Sequence, residues 1–273
     1  MSEIQENEPV ESQRTVLHPY LGLAGALLVP ALLLLFRWLG QQELGAVVAC
    51  VLVVVAGAAI TWAVGRESWD SVSRVKQVIC ESILQNNEGL LARFCRAQIS
   101  RVVTALFVGL MLALSLLVFA YTVPLAYFAI FFAGALLFVV VRMLAEGVFE
   151  VHVKPPLDIL TRRFMVTGVV VFILMITYFI TSALAPSTGL AVNSPEVPQH
   201  VTATVFHDCR VFQHLVRTAA FVDYNIRALR DIPEIGGWVF LAMFASFLSA
   251  VPMIAYVMCV RFGYESLSGK LGK

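Results

Sequence analysis

Three of the chain's five histidines, His200, His207 and His214, recur at an interval of seven, with Cys209 among them. Imidazole and thiolate are metal and haem ligands, so this stretch is the first place to look for chemistry. A single metal needs its ligand nitrogens about 2 Å away. Residues seven apart on a helix are separated by about 10.5 Å along the axis, and the usual helical chelate is i, i+4. Cys209 is turned about 200° from His207 around such a helix. If the segment is extended instead, His200 and His207 face opposite ways because their spacing is odd. His207 and Cys209 then share a face, which alone is a weak ligand pair. The spacing therefore predicts neither a metal site nor a cofactor. What remains is a face of His207, Arg210, His214 and Arg217, with the two histidines about 20° apart on the helix.

A second set lies at Arg142, Glu146 and Glu150, spaced i, i+4, i+8. This spacing places a charged ladder on one side of a helix. Two acids one turn apart could bind a cation or serve as acid and base, with His152 close by in sequence. The second-helix ExxH partner of di-iron bundles is missing from the sequence, so the ladder reads as a salt-bridged face. The sequence also has no serine-nucleophile elbow, HExxH pair or glycine-rich phosphate loop. These readings disfavour an enzyme.

The elements that position both sets follow from composition. The chain has 273 residues, 59% hydrophobic and 14% charged. Soluble domains carry roughly 25% charged residues, so lipid is the expected solvent. Backbone polar groups in lipid must pair internally, which restricts the choice to helices or a closed barrel. The apolar runs are continuous for around 20 residues instead of alternating, which selects helices. The expected fold is an all-α polytopic bundle of six transmembrane helices arranged in hairpins, with amphipathic helices outside the membrane.

Six runs are long enough to cross, near residues 20–39, 44–64, 102–122, 125–144, 164–184 and 238–260. The short links at Gly40–Glu43 and Tyr121–Pro124 predict antiparallel neighbours. Residues 1–19 carry an excess of glutamate and read as a disordered acidic tail, the wrong charge for a secretory signal. The membrane domain covers residues 20–184, with helical extensions expected in 66–101 and 142–163 and a helix end at Pro155 and Pro156. An outer segment, 185–237, contains an amphipathic helix over about 208–230. Its apolar residues recur from Val211 and Leu215 to Leu229, and Asp208 is the N-cap. The sixth span, 238–260, precedes a tail at 261–273.

Fourteen of the nineteen Lys and Arg residues fall on the side of the termini and five on the other. This bias predicts cytoplasmic N and C termini, with a bacterial inner membrane as the expected setting. A net charge of +1 supplies no basic domain for nucleic acid. Pro30 and Pro252 sit inside the first and last spans as candidate helix kinks. Small residues four apart, including Gly45/Ala49, Ala59/Ala63 and Ala245/Ser249, allow close helix contacts. No ionisable residue lies in the centre of a span, and Arg37 and Arg142 are near enough to ends to snorkel.

The expected role is a non-catalytic accessory, scaffold or assembly subunit of a membrane complex. Its partners would be the bilayer and other membrane subunits or further copies of itself. The alternative is a small transporter or channel for an apolar or lipid-like solute, running between the Pro30 and Pro252 helices. The His207/Arg210/His214/Arg217 face predicts docking onto anionic headgroups or an acidic partner, strengthened as histidine gains charge in acid. Replacing His207 and His214 by Gln should weaken vesicle docking much more at about pH 5.5 than at about pH 8. Equal docking at both pH values would remove the idea.

Overall fold

In a computed structural model, the structure describes residues 9–40, 42, 45–82, 98–123, 125–152, 157–184, 209–219 and 250–268. The long elements are α1 (Pro9–Gly40), α2 (Ala46–Ser82), α3 (Gln98–Thr122), α4 (Phe128–His152), α5 (Leu157–Leu184) and α6 (Ala250–Leu267), with a 3-10 turn at Leu125–Tyr127. Among the described residues every regular element is helical. Among the described residues five helices are long and apolar enough to cross a membrane, at Tyr20–Gly40, Val47–Trp69, Val102–Thr122, Phe128–Gly147 and Arg163–Thr181. They match the first five expected spans. Of the sixth, 238–260, only the part from Ala250 lies within the described residues.

The helix limits follow local chemistry. α1 begins at Pro9, inside the segment expected to be a disordered tail. Proline suits a first helical position because its missing N–H would be unpaired there in any case. α2 continues past the span to Ser82, as an extension of the second span would. α4 ends at His152, three residues before the Pro155–Pro156 pair. α6 continues to Leu267, so residues 261–267 of the expected tail are helical.

α6 is the central element. It packs against each of the other five long helices. Apolar residues on all its sides are buried, as a helix surrounded by others requires. Around it the bundle turns large apolar side chains outward, including Leu32, Leu106, Phe107, Leu136 and Phe172. That is the arrangement lipid-facing helices need.

The predicted hairpins do not become packed pairs. α1 lies mainly on α6 and α4, whereas α2 lies mainly on α3. A short link brings two helix ends together but does not fix which faces pack. Here glycine makes that choice. A Cβ added at Gly25 would collide with the Gly263 carbonyl, and one at Gly263 with the Gly25 carbonyl. Gly22 lies against the Tyr264 ring, where a Cβ would come within 2.6 Å. α2 and α3 cross at Gly109, whose added Cβ would stand 3.0 Å from the Thr61 carbonyl. In lipid such close packing replaces the hydrophobic effect as the force joining helices.

Gly263→Val should therefore separate α1 from α6 and cost about 1–3 kcal/mol or more by overpacking. A drop of several degrees in the detergent melting temperature would register it. Gly147→Ala, at a site with open space, should leave the melting temperature unchanged or slightly raised.

Candidate functional site

The Arg142–Glu146 part of the predicted ladder forms, with Arg142 Nε 3.2 Å from Glu146 Oε1. The Glu150 side chain lies outside the described residues. Arg142 does not snorkel outward. Its Nη1 donates to Glu265 Oε1 on α6 at 2.9 Å, and its guanidinium stands 4.5 Å from the centre of the Tyr264 ring. The ladder is the edge of a larger charge cluster.

The cluster gathers Glu67 from α2, Arg142 and Glu146 from α4, Arg163 from α5, and Arg261 and Glu265 from α6. Glu67, Arg261 and Glu265 are buried residues. Three arginines meet three glutamates, so formal charge balances, as burial requires. The two halves differ. The Arg142–Glu265 and Arg142–Glu146 pairs are within or near hydrogen-bond length. Around Glu67 the separations are longer, with Oε2 3.9 Å from Arg163 Nη1 and 3.8 Å from Arg261 Nη1. Arg163 Nη2 and Arg261 Nε stand 3.8 and 4.0 Å from Glu265. Arg261 also donates through Nη2 to the Arg163 carbonyl at 3.1 Å. The loose half borders a cavity of about 210 Å³ between α2, α3, α5 and α6.

Glu67, Arg163, Arg261 and Glu265 were missed in the sequence because each sits only a few residues beyond or before an apolar run. The signal was their shared level: spans that alternate in direction bring residues near 64, 144, 164 and 260 to one end of the bundle.

At the opposite end, Arg37 turns inward too. Its Nη1 donates to the carbonyls of Ala120, at 3.1 Å, and Val123, and so covers the last carbonyls of α3. The Tyr121 hydroxyl donates to the Phe36 carbonyl at 2.8 Å. Phe36, Tyr121 and Phe212 meet edge to face, with ring centroids 5.3 to 6.3 Å apart.

Phe212 belongs to the described part of the expected outer helix, residues 210–219. Arg210, His214 and Arg217 are exposed there, and His207 lies outside the described residues. Val211, the first residue of the expected apolar run, is 76% exposed, whereas Cys209, Phe212 and Val216 are buried. The aromatic docking of Phe212 sets this rotation. Val211, His214 and Leu215 instead border an apolar hollow of about 650 Å³ that also touches Pro252 and Tyr178. Pro30 is buried within the unbroken α1, and Pro252 is buried in the first turn of the described α6.

The interior hydroxyls of Ser115 and Thr177 bond to their own helix, at Leu112 and Ile173. Among the described residues no group of three or more His, Cys, Asp or Glu side chains is arranged to hold a metal. The charge cluster can instead pin helices and offer ionised groups to a small polar ligand.

Removing one partner of a buried pair leaves the other uncompensated, at a cost of about 3–5 kcal/mol. Glu265→Gln should accordingly lower the melting temperature sharply. Adding Arg142→Met should recover much of the loss, because the second change removes the stranded charge. A double-mutant cycle in detergent measures this, and strictly additive losses would contradict the coupling.

No known family model, curated protein or solved structure matches the chain.

Proposed function

We propose that the chain is a non-catalytic accessory or scaffold subunit of a membrane complex, and that it seats a partner's transmembrane helix between α1 and α2. The observation supporting this reading is an apolar groove of about 470 Å³ along these two helices. Ala56, Ala59 and Ala63 lie along the α2 side, while Leu28, Leu32 and Leu35 stand about half-exposed on the α1 side. Small residues beside a bulky ridge provide relief into which another helix can pack. The groove extends along α1 from Gly25 to Leu39, about 21 Å at helical rise. That is most of a hydrocarbon core of about 30 Å.

Aromatic rings pack between helices at one end of the bundle and ion pairs cross the other, which favours a packed scaffold over a conducting path. In this reading the Glu67 end faces the cytoplasm of a bacterial inner membrane, where the loop charges concentrate. The exposed Arg210, His214 and Arg217, with His207, face the outer compartment as a docking surface. The hollow beside Pro252 favours the second reading, a carrier for an apolar or lipid-like solute.

A photocrosslinker at Leu32 should capture one protein in stoichiometric yield, and the same crosslinker at Leu106, on α3, should not. Ala59→Trp should abolish that product without changing the elution of the chain. Recovery of the chain alone in every mild detergent, with no crosslink at Leu32, would overturn the scaffold reading. Uptake of an apolar solute by reconstituted vesicles, lost in Pro252→Ala, would favour the carrier.

A further inference from the structure

The cavity beside the charge cluster has a wall with unmet hydrogen-bonding capacity. Glu67, Arg163 and Arg261 line it, together with the hydroxyl-bearing Ser68, Thr104 and Thr167. Two of these charged side chains are more than nine-tenths buried, Glu67 at 5% exposure and Arg261 at 8%. Glu67 Oε2 accepts no hydrogen bond, and Arg261 Nε donates none. Their nearest opposite charges, at 3.8 to 4.0 Å, are beyond hydrogen-bond reach. Buried polar atoms left without a hydrogen-bond partner cost free energy unless something fills the gap. The cavity is large enough for a small polar group, roughly seven waters at about 30 Å³ each.

We propose that this cavity holds the headgroup of an amine-bearing phospholipid, with the phosphate on Arg261 and Arg163 and the ammonium on Glu67. Depth is the first reason. Glu67 lies near the end of one candidate span, Val47–Trp69, and Arg163 begins another, Arg163–Thr181. The cavity therefore stands at the edge of the hydrocarbon layer, where lipid phosphates lie. The second reason is access. Val108 on α3 and Phe164 on α5 border the cavity and are 37% and 59% exposed, so acyl chains can leave it along apolar helix faces.

The third reason is charge. Guanidinium groups suit phosphate oxygens, because their planar forks donate two parallel hydrogen bonds. A carboxylate beside them repels a headgroup that carries only negative charge. It accepts hydrogen bonds from an ammonium, which has donors and no acceptor. Inorganic phosphate shares the guanidinium contacts but satisfies neither Glu67 nor the apolar mouth. This site stands independently of the α1/α2 groove.

Native mass spectrometry of the full chain in mild detergent, with equal amounts of phosphatidylethanolamine and phosphatidylglycerol, tests the assignment. The wild type should retain phosphatidylethanolamine about tenfold better, the worth of one hydrogen bond to a charged group. Glu67→Gln should reduce the preference to near unity while both lipids still bind. Thr167→Met, which fills the cavity without changing charge, should lower retention of both and keeps the test open if Glu67→Gln fails to fold. Equal retention of the two lipids by the wild type would overturn the proposal. So would no retained lipid, an unchanged preference in Glu67→Gln, unchanged binding in Thr167→Met, or thermal stabilisation by inorganic phosphate equal to that by the lipid.

Discussion

Arg261 and Glu265 occupy one turn-to-turn pair on the helix at the centre of the bundle, and neither can remain ionised there without partners from elsewhere. Glu67, Arg142 and Arg163 supply those partners from α2, α4 and α5. Four helices are thereby tied at one level. Apolar packing between lipid-exposed helices is permissive about sliding, since one leucine contact resembles the next. A charge moved by a helical turn, about 5.4 Å, loses its partner altogether. The cluster thus fixes the axial register of α2, α4 and α5 against α6, and the apolar core fills in around that register.

The two ends of the bundle solve the same problem differently. At the Glu67 end, side-chain charges neutralise one another. At the other end, the Arg37 guanidinium donates through Nη1 to the carbonyls of Ala120 and Val123 and stands over the Phe128 ring, while Phe36, Tyr121 and Phe212 pack edge to face. The first arrangement holds four helices. The second holds two helices and anchors the short helix at 210–219 through Phe212. It also explains why that helix presents Arg210, His214 and Arg217 outward while burying Cys209.

Much of the architecture was legible in the sequence because continuous apolar length is a strong signal in a chain so poor in charge. The first five expected spans fall within a few residues of the observed ones. Partner choice was not legible. Short links at Gly40 and Pro124 suggested packed neighbours, but chain proximity carries no information about helix faces. Gly25 and Gly263, 238 positions apart, decide the α1–α6 contact, and nothing local marks them as a pair. The candidate site was half legible. Arg142 and Glu146 announced themselves by spacing, whereas Glu67 and Glu265 looked like ordinary flanking charges. Only the convergence of four helix ends makes them a cluster, and convergence is a property of the topology. On the outer helix the buried side carries Phe212 and Val216, and periodicity does not single it out, because it is set by the fit of Phe212 against Phe36 and Tyr121.

The central position of α6 has a consequence for biogenesis. Of the described long helices it comes last in chain order, yet it packs against the other five and contributes Arg261 and Glu265 to the ion pairs. Until it packs into the bundle, the pairs that Arg142, Arg163 and Glu67 make with Glu265 and Arg261 are missing, although Arg142–Glu146 and Arg163–Glu67 do not depend on it, and α1 lacks the surface that matches its glycines. The first five helices can insert in turn but cannot settle into a tight bundle. A chain truncated before α6 would expose charges at the membrane edge and glycine-lined seams, features a membrane protease or chaperone can sense. Docking of α6 therefore completes the charge cluster and the glycine seam together.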